Sequence, residues 1–326
     1  MDNSRTAQNA YEILRAGIFG HAVGDALGVP VEFSPRNHLL QHPVTDLMEP
    51  VARELPKGVW SDDTSMVLCT MASLTERGGI VPEDIMLRFS QWATKGFFTP
   101  QGRAFGMGRT TCKAIADYLH GRHYGCKTER DCGNGSLMRI LPIPLYQHIT
   151  GTGSTAEQRI RSVHTVSALT HAHPRAMMAC GIYSFVMEAL LEQNGPSAIL
   201  RGLEQADAFY RGYPEHDAFS RLFSPDFARM DPEDIHSSGY VVDTLEAALW
   251  CLLTTEDYSG CVLQAVNLGG DTDTVTAVVG GLAGIRYGFD AIPTSWVSAL
   301  LRHDRLEQMC MEAAQRWSSA CPTATD

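Results

Sequence analysis

The sequence predicts a mainly helical chain folded as one domain, and three observations carry that prediction. Apolar residues recur at helical spacing along most of the 326 residues, and no run of strands alternating with helices emerges. The periodic stretches are punctuated as helices are, by Ser, Asp or Pro before them and glycine after. Neither an internal repeat nor a linker-like shift in composition divides the chain, so residues 1–326 read as a single domain, with short frayed tails at 1–10 and 317–326.

Residues 8–28 read as a helix in spite of Gly17, Gly20, Gly24 and Gly28. Each interior glycine costs about 1 kcal/mol against alanine. Ala16, Gly20, Gly24 and Gly28 recur every four residues, so close contact with another helix along that face is the expected compensation. Such contact would bury this helix at the centre of the molecule. Residues 34–59 carry prolines and histidines without a period and read as loop, with at most a short turn or strand pair. Ser61 or Asp62 caps a helix running to about Glu76, where Gly78-Gly79 stops it. Pro82 opens the next, with Ile85, Phe89 and Trp92 on its apolar face and Gly96 as its stop.

A helix over 109–120 follows Gly106-Met-Gly-Arg, and a polar loop runs from Gly121 to Gly135. Ile140 to Tyr146 holds two prolines and reads as a broken connection to a helix at 155–169. Pro174 sits in the first turn of a long helix ending at Glu192. Residues 196–237 read as short helices with a mobile loop around Gly212 to Asp234. Strongly apolar helices then cover 240–253 and 258–266, and the last two cover 274–287 and 294–316.

A hydrophobic content of 44% is enough for a sizeable core. The formal net charge of -11 argues against nucleic acid or anionic membrane as the main partner, because such binding rests on Lys and Arg neutralising phosphates. Nine cysteines are scattered without a Cys-x-x-Cys pair, so neither a zinc site nor a disulfide framework is expected, and a reducing cytoplasm fits. The N-terminus lacks the apolar core of a signal peptide, and no stretch approaches the length of a membrane span.

The chemistry concentrates in two stretches. Ser61-Asp-Asp-Thr and Asp271-Thr-Asp-Thr each place two carboxylates and flanking hydroxyls directly before an apolar helix. A lone Asp there would be an ordinary helix cap favoured by the helix dipole. Two caps do not need four carboxylates, and paired acids stay charged in apolar surroundings only with a cation. The two helix starts are therefore expected to face each other across a dinuclear metal site, with Glu32 nearby. Hard oxygen ligands favour Mg²⁺, Mn²⁺ or Ca²⁺ over Zn²⁺ or Cu²⁺, and octahedral geometry with retained waters suits Mg²⁺ or Mn²⁺. Two such ions about 4 Å apart can activate a shared water, which is hydrolase chemistry. Gly133-Asn-Gly-Ser offers backbone N–H groups to a pyrophosphate, although Asn-Gly is also an ordinary turn dipeptide. His171 and His173 precede a helix, where a histidine is more often a cap or a packed side chain than a functional group; Tyr240 reads as core.

In order along the chain, Gly24-Asp-Ala-Leu-Gly with Glu32, Trp60-Ser-Asp-Asp-Thr, Gly133-Asn-Gly-Ser-Leu-Met-Arg, Ser238-Gly-Tyr-Val-Val-Asp-Thr-Leu and Asn267-Leu-Gly-Gly-Asp-Thr-Asp-Thr resemble the ADP-ribosylglycohydrolase family over roughly residues 12–290. The resemblance implies an all-α orthogonal multi-helix bundle with a central cleft, a centre of two Mg²⁺ or Mn²⁺ ions, and hydrolysis of ADP-ribose from modified side chains. By position, Ser61, Asp62 and Asp63 would hold one ion and Asp271, Asp273 and Thr274 the other, with Asp273 reaching both. Ser61 stands where the family more often has Thr, which keeps the hydroxyl. Glu32 or Asp63 would handle protons. Gly133, Asn134, Gly135 and Ser136 would cradle the diphosphate, and His171 and Tyr240 would join the ADP-ribose site. The expected substrate is an ADP-ribosylated protein linked through arginine, with serine- or nucleic-acid-linked ADP-ribose as alternatives. A binding protein that neutralises an ADP-ribosyltransferase toxin is the alternative from another class, and a cognate transferase is a candidate partner.

Overall fold

Glycine at every fourth position of the first helix sets the architecture. The computed structural model describes residues 3–50 and 54–320, with side chains from residue 6 onward. The helices are α1 (Asn3–Gly28), α2 (Arg36–Gln41), α3 (Asp62–Arg77), α4 (Pro82–Lys95), α5 (Arg109–Leu119), α6 (Pro142–Thr150) and α7 (Ala156–Ser167) in the first half. The second half holds α8 (Pro174–Glu192), α9 (Pro196–Tyr210), α10 (Val241–Thr254), α11 (Tyr258–Val266), α12 (Thr272–Tyr287), α13 (Thr294–Ala299) and α14 (His303–Ser319). Among the described residues there is no strand beyond two isolated bridges, Cys126 with His171 and Gly133 with Tyr240. The fold is all-α. No described helix is long and apolar enough to cross a membrane.

α1 packs against α12 along the small-residue face. A Cβ on Gly20 would collide with the carbonyl of Gly280, one on Gly24 with that of Thr276, and one on Gly284 with that of Ala16. The backbones therefore touch directly, which explains why glycine is kept in a helix where it costs stability. Tyr258 of α11 donates to the Gly20 carbonyl at 2.7 Å midway along the seam, and Thr272 donates to the Gly28 carbonyl at 2.9 Å at one end of it. α12 is buried without interruption from Thr272 to Gly284 and forms the axis on which α1, α8, α10 and α11 pack.

Several elements differ from the sequence reading. Residues 36–41 form a helix because Arg36 is tied to distant backbone, donating to Leu268 O at 2.8 Å and to Pro232 O at 2.7 Å. Pro142 and Pro144 do not break the chain; they lie in the first turn of α6, where the missing N–H groups have no helical partner to lose. The 196–237 region holds the regular helix α9, and Phe219, Leu222, Phe227 and Ile235 bury the turns after it. One expected helix over 294–316 is two, divided at Leu300 to Arg302: Arg302 takes a left-handed φ of 55° and Leu301 N–H donates to Gly58 O at 3.0 Å. Residues expected to fray are helical from Asn3 and up to Ser319, with Trp317 buried and its Nε1–H donating to Thr75 at 3.1 Å. Residues 1, 2 and 321–326, Cys321 included, lie outside the described residues. The other eight cysteines are free.

Candidate active site

Both acidic stretches begin helices, and the α1–α12 seam brings those beginnings together. Ser61 caps α3, its Oγ accepting from the Asp63 N–H, and it also donates to Asp63 Oδ2 at 3.0 Å. Asp25, from the interior of α1, accepts from the Ser61 N–H at 2.9 Å, the Thr64 N–H at 3.0 Å and the Thr64 hydroxyl at 2.6 Å. One carboxylate thereby fastens the first turn of α3 onto α1. Gly28 meets the backbone of Asp273 so closely that a Cβ could not fit between them, and the short turn Val29–Val31 then delivers Glu32 to the same place.

A cleft of about 200 Å³ is lined by Glu32, Asp62, Asp63, Asp271, Asp273 and Thr274, together with Gly133, Asn134, Gly135 and His171. Carboxylate oxygens of Glu32, Asp271 and Asp273 lie within 4.8 Å of one another. Burial raises the carboxyls of Asp62, Asp63 and Asp273 well above the ordinary range, and repulsion among these acids, Asp25 and Asp271 adds to it. Asp25 is pushed up to about 6 by burial, against the hydrogen bonds it accepts. Asp63 Oδ1 is buried without a hydrogen-bond partner. A buried, unsatisfied carboxylate oxygen among mutually repelling acids is what a hard divalent cation would satisfy, so the residues fit such an ion. Asn134 supports the cluster, donating from Nδ2 to Asp271 Oδ2 at 2.8 Å and to Thr244 Oγ1 at 2.9 Å.

His171 is buried, and burial pulls its pKa down to about 3, so it is neutral. Its tautomer follows from its neighbours. Arg139 donates to Thr170 Oγ1 at 2.8 Å, and Thr170 Oγ1 lies 2.8 Å from His171 Nδ1. Of these two partners only Nδ1 can accept the hydrogen of that buried hydroxyl, which leaves the ring hydrogen on Nε2. Gly135 stacks against this ring so tightly that a Cβ would come 2.8 Å from Cε1.

Three sequence-predicted residues do not line the cleft. Ser61 is spent on the cap and on Asp63. Ser136 is fully buried, accepting from Ser167 at 2.8 Å and lying 3.5 Å from Cys180 Sγ. Tyr240 is the residue before α10, its ring under the Arg175 guanidinium at 5.8 Å. His173 caps α8: its Nδ1 accepts from the Arg175 N–H, so its hydrogen is on Nε2, 3.2 Å from Glu129. Glu129, Cys132 and His173 could by distance hold an ion. That tautomer, and the Arg175 guanidinium 3.6 Å from Glu129, make the trio a cap with an ion pair instead.

Sequence reading picks out Asp25 only as part of Gly24-Asp-Ala-Leu-Gly and gives it no role of its own. Gly106 reads as no more than a glycine turn, yet a Cβ there would strike Asp62 Oδ1, and its φ is +86°. Phe33, Arg109, Thr110 and Thr111 also line the cleft; sequence reading expects residues around 97–110 on the leaving-group side but gives none of the four a role of its own.

Residues 6–323 match the family described as ADP-ribosylglycohydrolase. A Serratia proteamaculans protein named ADP-ribosylarginine hydrolase Tri1 is 32% identical over 300 residues, covering 90% of this chain and 77% of the relative. A Rhodospirillum rubrum protein named ADP-ribosyl-(dinitrogen reductase) glycohydrolase is 30% identical over 304 residues, covering 90% of this chain and 92% of its own length. A solved structure named ADP-ribosylglycohydrolase-related protein complex is similar with a TM-score of 0.77 and 32% identity, over 95% of this chain and 99% of that one. With the family matched over nearly its whole length, the chain belongs to the ADP-ribosylglycohydrolases and is a hydrolase.

Proposed function

We propose that the described residues form one catalytic domain that hydrolyses the N-glycosidic bond between ribose C1″ of ADP-ribose and the guanidinium of a modified protein arginine, with two Mg²⁺ or Mn²⁺ ions. The observation that carries the metal reading is the unpartnered Asp63 Oδ1 among carboxyls that burial and mutual repulsion hold high. The arginine linkage is supported by the name of the Serratia relative. Asp62, Asp63, Asp271, Asp273 and Thr274 would hold the ions, with Ser61 orienting Asp63 and Asn134 orienting Asp271. When bound, the ions supply Lewis acidity that lowers the pKa of a water and binds ribose hydroxyls.

The chain's own groups do the rest. Glu32 sits beside Asp271 and Asp273, where it can take a proton from the attacking water or return one to the departing guanidine. The surrounding carboxylates favour the oxocarbenium-like charge that develops at C1″. The neutral His171 Nε2–H and the backbone N–H groups of Gly133 and Gly135 offer donors to the diphosphate without adding a charge, while the Asn134 N–H between them is held by Gly239 O at 3.1 Å.

The test is release of ADP-ribose from arginine-, serine- and nucleic-acid-linked substrates by the wild-type protein, Asp62→Asn and Asp273→Asn. Turnover of the arginine-linked substrate should stop on adding EDTA and return with Mg²⁺ or Mn²⁺. Each variant should lose more than about a hundredfold in kcat, beyond the loss seen when a supporting residue of a metal ligand is removed. Full activity in both variants would sink the metal reading, and release from serine alone would move the linkage.

A further inference from the structure

Phe33 is one of the cleft residues that neither metal binding nor diphosphate binding accounts for. It follows Glu32 directly, lines the cleft, and is 70% exposed. Its φ is +64°, a left-handed conformation that a bulky aromatic residue rarely adopts. The backbone is fixed there from both sides: Phe33 N–H donates to Gly270 O at 2.7 Å, and Gly270 N–H donates to Ser34 O at 2.9 Å. The constraint comes from the loop that leads into Asp271, so the backbone that carries the ring is fixed relative to the acidic helix start. A strained, solvent-facing aromatic side chain contributes little to the core, and strain of this kind collects at functional positions.

The charge around it defines what it can hold. Five carboxylates line the cleft, those of Glu32, Asp62, Asp63, Asp271 and Asp273. Arg109 lines it too, and two divalent ions would take up most of that charge, so what the cleft offers a planar, weakly hydrated guanidinium is the electron-rich aromatic face at its lip. We propose that Phe33 is the leaving-group platform: the glycosylated guanidinium of the substrate arginine stacks on its ring while C1″ lies over the carboxylates. The inference rests on the arginine reading above and adds to it the residue that selects the linkage. A serine-linked substrate has no cation to stack, so Phe33 gives it nothing of the kind.

The experiment compares wild type with Phe33→Ala, Phe33→Leu and Phe33→Tyr in the full chain. KM and kcat are measured on an arginine-linked ADP-ribosyl peptide, binding of free ADP-ribose by calorimetry, and folding by thermal melting. Alanine and leucine should each raise KM roughly tenfold with kcat nearly unchanged, and tyrosine should stay close to wild type. Affinity for free ADP-ribose, which carries no guanidinium, should be the same in all four. Wild-type kinetics in Phe33→Leu would overturn the proposal, because the contact would then be merely apolar. A parallel fall in ADP-ribose affinity would overturn it too, since the ring would be shaping the ADP-ribose site. Inertness of the wild-type protein toward the arginine-linked peptide, with release from the serine-linked one, is a distinct result: it removes the arginine reading and the platform with it.

Discussion

Asn134 shows how much one side chain can do without touching the chemistry. Its amide is shared between Asp271 and Thr244, so it orients a proposed ligand from a loop more than a hundred residues away in sequence. Asn134→Ala should leave the fold intact and weaken Mg²⁺ or Mn²⁺ binding about 10- to 100-fold, as measured by calorimetric titration; unchanged affinity would show that Asp271 needs no such support. At this scale the four aspartates were legible because they come in a duplicated pattern that capping alone does not require. Asp25 was not, because its meaning depends on the first turn of α3 landing on α1. Ser136 was misplaced because a short motif does not say which of its side chains faces inward, and here Ser167 and Cys180 claim it.

The α1–α12 seam dominates at the level of elements. Gly24→Ala would place a methyl group against the Thr276 carbonyl, where backbone rather than a movable side chain stands in the way. The substitution should cost roughly 3 kcal/mol or more, beyond the usual penalty of overpacking, and chemical denaturation would measure it. An unchanged midpoint would mean that the helices can part without cost. The four-residue spacing of small side chains announced this seam in the sequence, though not its partner helix. Helix ends marked by Gly78 and Gly96 were equally legible, since both glycines cap in the left-handed conformation. Tertiary context hid the rest: Arg36 holds α2 together from outside, and the backbone of Gly58 pins the break between α13 and α14. Proline misled at α6, where its position in the first turn mattered more than its presence.

Across the whole molecule, the buried acids make stability depend on pH. Asp62, Asp63 and Asp273 titrate well above their unfolded range and Asp25 near 6, so these four groups bind more protons in the folded apoprotein than in the unfolded chain, while buried His21, His164 and His171, pulled down to about 4, 4 and 3, act in the opposite sense below the ordinary histidine range. The acids' contribution is full below the unfolded carboxyl range and is lost as pH rises through the folded values. The metal-free protein should therefore melt at progressively lower temperature as pH climbs beyond about 6.5, where the histidines no longer offset the acids. Divalent cation should restore more of that loss at pH 8 than at pH 5.5, because it binds the deprotonated ligands. Thermal melts with EDTA and with Mn²⁺ at the two pH values check both statements, and a cation effect equal at both would contradict them. The seam has a temporal side as well. Thr272 closes onto Gly28 across 244 residues. At a synthesis rate of about 5–20 residues per second, the first helix waits on the order of 10–50 s for the partner its glycines are shaped for. Until α12 emerges, a growing chain carries three of the five cleft carboxylates and an uncovered glycine face, so the proposed hydrolytic competence arrives late in synthesis and all at once.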